Sequence, residues 1–353
     1  MDSKSSIHGS GRSENRDAMV FENAPPDGYR DRLWSIILAG GNGERISADI
    51  HRWMGRSIPK QYCVFTGTRS MLQHTLARAD ALAPREHQLT VVARSHHVEA
   101  QIQLANRPRG TVITQPANRN TVAGVFLPLT HIYKRDPGAT VVIYPSDHFI
   151  YPENSFIELT AHAVEAAEDL QHRLVLLGVQ AESIDLDFGW IRPGQVLWKS
   201  GSYTVRAVNQ FLEKPLGADA VAIRKSGGVW NTLIVAARAR TLWRLGWEFF
   251  PEIMLLFERL HGAIGTSNEE SVLDSIYEAM PARNFSSDLL TPAASQIALM
   301  PMEGILWSDW GRRERIIETL IRAGMRPNFP MTLAGRGRPP AVDPGQNVCP
   351  LAS

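Results

Sequence analysis

Cysteine is nearly missing from the chain: among 353 residues there are two, Cys63 and Cys349. That excludes a disulfide framework and a cysteine-rich zinc site. No stretch approaches eighteen consecutive apolar residues, which argues against a membrane-spanning helix. The opening MDSKSSIHGSGRSENRD holds no apolar core for a secretory leader. The expected location is therefore the cytoplasm, with no membrane partner. Neither sign of charge prevails. There are 37 Lys and Arg against 36 Asp and Glu, a formal net charge of +1. A duplex nucleic-acid binder normally shows a clear basic excess, so no nucleic-acid partner is expected. Small anionic ligands stay open, because a few local charges hold them.

What is present points to a globular α/β protein. At roughly 150 residues per domain, the length suggests about two domains or one large α/β unit. A chain this long buries enough surface to fold without a covalent or metal staple. Residues 1–30 carry charges, Ser, Gly and Pro with no amphipathic period, and are expected to be a disordered arm. Residues 331–353 hold seven Gly or Pro among 23 and are expected to be a flexible tail.

Between these ends, unbroken apolar runs at Trp34–Ala39, Leu89–Ala93, Thr111–Thr114, Ala139–Tyr144 and Arg173–Gly178 suit strands buried on both faces. Helical patterns at Ser70–Leu82 and Asn154–Gln171, the second capped by Asn154 or Ser155, lie between them. Strand–helix–strand repetition predicts a three-layer, Rossmann-like, mostly parallel α/β sheet whose ligands sit at the carboxyl ends of its strands. From about 186 to 215 the pattern changes to short antiparallel strands at Phe188–Ile191, Val196–Trp198 and Tyr203–Val208, with turns at Pro193-Gly194 and Ser200-Gly201. Helices are expected over 218–226, 237–262, 267–280 and about 312–324.

The first strand runs into Leu38-Ala-Gly-Gly-Asn-Gly-Glu-Arg45. Glycines allow close backbone approach and aim N–H groups at a ligand, as in phosphate sites. A glycine-rich turn without ligand is the plainer alternative. No Gly-Lys-Ser/Thr closes the loop, so it is not a Walker loop. Ile46 stands where a dinucleotide fingerprint needs its third glycine. Fifteen residues past Arg45 stands Lys60, in Pro59-Lys-Gln-Tyr62.

Gly40-Gly-x-Gly-x-Arg45 followed by Pro59-Lys60 resembles the signature of nucleotidyltransferases that activate sugar 1-phosphates. The resemblance continues in order through Gln115-Pro-Ala-Asn-Arg-Asn-Thr121, Tyr144-Pro-Ser-Asp-His148, Phe188-Gly-Trp-Ile191, Phe211-Leu-Glu-Lys-Pro215, Trp230-Asn-Thr232 and Trp307-Ser-Asp-Trp-Gly311. These segments resemble those of mannose-1-phosphate guanylyltransferases and span 38–311. The resemblance implies one nucleotidyltransferase-fold domain over 31–330. Its nucleotide-binding part would be about 31–180, its small antiparallel sugar-binding part about 181–311, and a C-terminal helix would follow. No segment resembles the fused sugar-isomerase domain or hexapeptide β-helix of longer relatives.

The implied reaction joins mannose 1-phosphate to GTP, giving GDP-mannose and pyrophosphate by in-line attack on the α-phosphorus. Such chemistry rests on positioning and charge neutralisation, and no covalent nucleophile is needed. His148 reads as a loop residue and not as a nucleophile, and Cys63 is not needed as one. By resemblance, the catalytic residues are Arg45, Lys60 and Asp147. Leu38, Gly40, Gly41, Gly43, Gln115 and Asn118 border the nucleotide. Gly189, Glu213, Lys214 and Asn231 hold the sugar phosphate. Asp147 and Asp309 are expected to bind Mg²⁺, a hard ion suited to oxygen ligands.

Several assignments have a plainer alternative. Asp147 is a turn or cap residue, Glu213 an ion-pair partner of Lys214, Asn231 a turn cap, and Arg119 a pin on loop carbonyls. The sequence departs from the family at Glu44, where threonine is common and a carboxylate would repel a triphosphate unless turned away or paired. The insert 46–58, with Arg52 and Arg56, is either a mobile basic lid or a solvated loop. Leu233-Ile-Val replaces a Gly-(Met/Ile)-Phe run, which puts the exact sugar in question. Another nucleoside triphosphate and hexose 1-phosphate, or a pocket without turnover, are the competing readings. A homo-oligomer is compatible with the sequence, and nothing in it specifies one.

Overall fold

The computed structural model describes residues 31–330. The arm expected over 1–30 and the tail over 331–353 lie outside the described residues. A nine-stranded sheet forms the middle layer. Its strands are β1 (Leu33–Ala39), β2 (Gln88–Ala93), β3 (Val112–Gln115), β4 (Thr140–Pro145), β6 (Leu174–Gln180), β7 (Gly189–Ser200), β8 (Tyr203–Glu213), β9 (Val229–Arg238) and β10 (Ile297–Pro301). They are ordered β3-β2-β1-β4-β9-β6-β10-β8-β7. β3, β2, β1 and β4 run parallel, and β6 and β10 form a second parallel pair. β5 (Phe149–Tyr151) and β11 (Leu306–Ser308) pair antiparallel as a separate two-stranded sheet.

Alternation along β1 shows why the apolar runs become strands. Trp34 and Ile36 enter one core, while Leu33, Ile37 and Ala39 enter the other. Side chains of a strand alternate faces, so a strand coated by helices on both sides has no polar positions to spare. The first core is covered by α4 (Asn120–Arg135), α7 (Ala239–Phe249), α8 (Pro251–Ala263) and α9 (Glu269–Ala279). The second is covered by α2 (Met71–Asp80), α3 (His97–Leu104), α5 (Glu153–Asp169) and α6 (Gly217–Lys225). This is the three-layer α/β arrangement expected from the alternation. A third, smaller core joins α1 (Ser47–Met54) and α10 (Arg313–Arg322) through Ile50, Phe65, Phe149, Trp310 and Ile316.

Several local expectations are corrected. α2 starts at a capping box: Ser70 Oγ accepts from Gln73 N at 3.1 Å, and Gln73 Oε1 accepts from Ser70 N at 2.9 Å. α5, in contrast, begins at Glu153 after Pro152, with neither Asn154 nor Ser155 as its cap. Residues 237–262 are not one helix. Arg238 ends β9, and Phe250 separates α7 from α8, whose first residue is Pro251; proline lacks the N–H that a continuing helix needs and suits a first turn. Pro193-Gly194 does not reverse the chain. It falls inside the long strand β7, where the register against β8 shifts, and the reversal comes at Ser200–Tyr203. This hairpin ends the strand order of the main sheet, and the start of β7 folds back to pair antiparallel with β9, Trp190 with Trp230 and Ile191 with Val229. The insert 46–58 is mostly the helix α1, in which Arg52 pairs with Asp49 at 3.0 Å, and not a loop.

α4 also carries a titratable group in a nearly dry position. His131 is buried, and burial pushes its pKa down to about 4 although Glu269, 4.0 Å away, opposes the shift. The unfolded chain takes up this proton near pH 6.5. Between those values the unfolded state holds more protons, so stability is lost as pH falls from about 6.5 towards 4. Urea unfolding at pH 7 and pH 5 should show a drop in wild type that His131→Gln reduces by about 1–2 kcal/mol. An unchanged pH dependence in the variant would refute this.

Candidate active site

The register of the parallel strands places their carboxyl ends together. Leu38 faces Pro145, Ala39 faces Val92, and Ala93 faces Gln115. The glycine loop leaves β1 at this edge, and the turn bearing Asp147 leaves β4 there. Leu38, Gly40, Gly41, Gln115 and Asn118 line one cavity of ≈ 160 Å³ with Val91, Asn120, Thr121 and Gly124. Five of the six residues expected at a nucleotide are thus brought together. Gly40 is needed for a steric reason: a Cβ there would lie 2.3 Å from Gln115 Nε2. Gln115 Oε1 accepts from the Tyr277 hydroxyl at 3.3 Å, which leaves its amide nitrogen turned towards Gly40. Asn118 is used locally, its Oδ1 accepting from Asn120 N at 2.9 Å. Arg119 takes its plainer reading, donating to the carbonyls of Tyr277 (2.7 Å) and Glu278 (3.2 Å).

Gly43, the sixth residue, sits at φ 64° directly over Lys60; a Cβ would come 3.0 Å from Lys60 Cβ. Pro59 leads into a single tight turn, Lys60–Tyr62, packed under the loop. Gln61 Nε2 donates to the carbonyls of Ala39 (2.8 Å) and Gly41 (2.9 Å), so it fixes the loop's exit from β1. Sequence reasoning passed over Gln61, although it adjoins the lysine that drew attention.

Lys60 is the centre of the charge arrangement. Its side chain is only 3% exposed, yet Nζ lies 2.8 Å from Asp147 Oδ2 and also donates to the Asp309 carbonyl. An isolated buried ammonium costs several kcal/mol, so such partners are required. Asp309 Oδ2 accepts from Arg45 at 2.8 Å, and Oδ1 accepts from Arg315 at 2.7 Å and from Gly311 N at 3.0 Å. Burial alone would raise the Asp309 pKa, but Lys60, Arg315 and Arg45 hold it down at about 2. Asp147 is likewise held below its ordinary value: burial opposes ionisation most strongly, and the charge and hydrogen bond of Lys60, together with His148, outweigh it. Trp310, at φ 45°, and Gly311 follow Asp309; a Cβ on Gly311 would lie 2.5 Å from both Arg45 Nη1 and Asp309 Oδ2. Non-glycine residues with positive φ commonly mark sites where the fold imposes a geometry.

The four residues expected at the sugar phosphate meet at the end of the β7–β8 hairpin. Gly189 pairs with Glu213 across the hairpin, and a Cβ on Gly189 would come 2.7 Å from Glu213 Oε2 and 3.2 Å from Asn231 Cβ. Asn231 stands at a bulge: Gly178 pairs with Asn231 but Leu177 with Ile234, and Leu233 takes φ 57°. Its Oδ1 accepts from Leu233 N at 2.8 Å, as a turn cap would, while Nδ2 donates to Ser286 Oγ at 3.3 Å. Burial raises the Glu213 pKa, opposed by Lys214, and the two form no salt bridge among the described residues. Lys214 is exposed, with φ 46°.

Other groups are excluded or clarified. Burial pushes the Cys63 thiol up to about 12, which leaves it inert as a nucleophile. His148 is held neutral by burial, with a pKa near 4, and its Nδ1 accepts from Trp307 Nε1 at 3.2 Å. Glu44 is exposed and accepts from Asn42 at 3.2 Å. For a metal, no cluster of three or more His, Cys, Asp or Glu side chains exists among the described residues. Asp147 retains one oxygen, 3.9 Å from His148 Nε2, beyond the one on Lys60. Asp309 uses both of its oxygens and could ligate a hard cation through Oδ2 once the half-exposed Arg45 swings away. By donor chemistry the pair could supply two oxygen ligands to a hard cation, with water and phosphate completing its shell.

A family model described as nucleotidyl transferase matches residues 34–320. The chain belongs to this family. The mannose-1-phosphate guanylyltransferase of Escherichia coli strain K12 is 26% identical over 290 residues, covering 80% of the chain and 58% of that protein. The Salmonella montevideo mannose-1-phosphate guanylyltransferase is 31% identical over 212 residues, covering 58% and 42%. The chain spans about half the length of the curated relatives it matches. Among solved structures, the mannose-1-phosphate geranyltransferase of Thermus thermophilus superposes with a TM-score of 0.67 at 24% identity, covering 81% of this chain and 79% of that one. That likeness establishes the fold. No helix of the described residues is long and apolar enough to cross a membrane.

The cavity beside Gly40 generates a direct test. In this nucleotidyltransferase, Gly40→Ala should push the Gln115 amide off Tyr277 and into the cavity. Nucleoside triphosphate affinity, read by calorimetry, should fall about ten-fold or more, equal to about 1.4 kcal/mol, with the melting temperature nearly unchanged. Unaltered affinity would show that the nucleotide binds elsewhere.

Proposed function

We propose that the protein transfers a guanylyl group from GTP to mannose 1-phosphate, releasing pyrophosphate. The observation that carries this reading is the cationic junction of Lys60 and Arg45 on Asp147 and Asp309: Gly43 of the glycine loop rests on Lys60, and Arg315 links Asp309 to the segment before Gly189. An oxygen of the sugar phosphate attacks the α-phosphorus, and the bond to the β-phosphate oxygen breaks. Two anions must approach each other, so fixed positive charge in a partly dry site is the main requirement.

Lys60 is preorganised for that role because its ammonium is held from two sides. Arg45, half-exposed, exchanges Asp309 for the triphosphate. The backbone of 40–43 offers N–H groups to phosphate oxygens, and the Gln115 amide offers a donor to the base. Glu213 accepts from sugar hydroxyls, Asn231 fixes the ring, and Lys214 reaches the sugar's phosphate. Mg²⁺ held by Asp147 and Asp309 would neutralise the charge on the phosphates. Both precursors and product are soluble anions, which agrees with a cytoplasmic location.

Pyrophosphate release should be measured for four nucleoside triphosphates crossed with several hexose 1-phosphates, with and without Mg²⁺. Release is expected with GTP, mannose 1-phosphate and Mg²⁺ together. Asp147→Asn should lower that rate about 10²-fold or more while the fold survives. Release with UTP or dTTP but not GTP would move the assignment to another member of the family. No release with any pair would make the protein a binding homologue.

A further inference from the structure

We propose that Arg315, on α10, is a positioning residue that makes binding of the two substrates cooperative; this rests on the two-substrate reading above. Its guanidinium joins the two halves of the site. Nη1 donates to Asp309 Oδ1 at 2.7 Å, on the side of Lys60 and Arg45. Nη2 donates to Asp185, and to Asp187 Oδ2 at 3.3 Å, on the segment that leads into Gly189. The guanidinium carbon stands 4.4 Å from the centroid of the Phe188 ring, the residue before Gly189. Arg312 adds a second tie to that segment, with Nε 2.9 Å from Asp187 Oδ2, and Trp190 Nε1 donates to the Asp185 carbonyl at 2.8 Å.

The Asp185–Arg315–Asp309 bridge is largely desolvated, its side chains 15%, 14% and 10% exposed, while Asp187 and Arg312 at its margin are 35% and 54% exposed. In such surroundings a charged group cannot lose one partner without drawing on the others. When Arg45 leaves Asp309 Oδ2 for a triphosphate, Arg315 becomes the remaining guanidinium on that carboxylate. Its grip on Asp185 and Asp187 changes at the same moment, and so does the placement of Phe188 and Gly189. The forked, planar guanidinium suits a bridge between carboxylates and a ring, which a lysine cannot reproduce. Two ligands that bias one shared element are thermodynamically coupled, reciprocally.

The test is calorimetric binding of mannose 1-phosphate, alone and with a GTP analogue carrying a methylene between the α- and β-phosphorus, in Mg²⁺. The wild-type protein should bind the sugar phosphate about five-fold or more tightly when the analogue is present. Arg315→Ala should reduce that factor below about two-fold while each ligand alone binds within about three-fold of wild type. Arg315→Lys should recover only part of it. A merely structural role would lower both single affinities and leave their ratio intact. Should Arg315→Ala not fold, the paired change Asp185→Asn with Asp187→Asn cuts the sugar end of the bridge and should remove the coupling equally. An undiminished factor in Arg315→Ala or in the paired variant, or no coupling in wild type, overturns the proposal. If the substrate matrix selects another pair, the same cycle is run with that pair, so a wrong substrate assignment and a wrong coupling residue give different results.

Discussion

A single buried ammonium organises the site. Lys60, nearly inaccessible to water, lies against the Asp147 carboxylate and the Asp309 carbonyl, and these come from loops 162 positions apart in the chain. Desolvating that charge is costly unless both partners are present, so the loops after β4 and β11 are obliged to converge. The glycine loop is tied to the same point, because Gly43 rests on Lys60 and Gln61 holds the carbonyls of Ala39 and Gly41. Asp309 then gathers Arg45 and Arg315, and Arg315 reaches the segment before Gly189. The charges form a chain from one half of the site to the other, and this is compatible with a net charge of only +1.

The fold serves this arrangement by bringing ends together. The parallel register aligns the carboxyl ends of β1 to β4, where the loops must carry the chemistry because the strands themselves are buried on both faces. Elsewhere the backbone is bent to aim a residue. The bulge between β6 and β9 presents Asn231, and positive φ values at Lys214, Leu233 and Trp310 fall beside site residues. Such geometry persists only when surrounding packing enforces it. The third core, with Phe149 stacked on Trp310 at 4.8 Å, provides that packing behind Asp147 and Asp309.

Much of this was legible in the sequence, and the failures have physical causes. Strands such as Val141–Tyr144 were readable because burial on two faces leaves an unbroken apolar run. Helix α4 was not, since Gly124 and Pro128 interrupt its pattern and burial nearly all round erases its amphipathic stripe. The break before Pro251 was available from proline chemistry but was masked by apolar residues on both sides. Pro193-Gly194 looked like a turn and is a register shift within a strand. Resemblance to the family's motifs brought out Lys60, Asp147 and Asp309, because each stands in a distinctive local run. Arg315 carried no such signal: within Arg312-Arg-Glu-Arg-Ile it reads as one more charge on a solvated helix face, and only the tertiary structure sets it between Asp309 and Asp185.

The central claim is that Lys60 and Arg45 are held in place by carboxylates until substrate phosphates arrive. A crystal structure with Mg²⁺ and the non-reactive GTP analogue tests it most directly. The account predicts a triphosphate over Gly40–Gly43, a phosphate oxygen about 3 Å from Lys60 Nζ, and Arg45 detached from Asp309. A triphosphate bound elsewhere, with the Lys60–Asp147 and Arg45–Asp309 pairs unchanged, would contradict it.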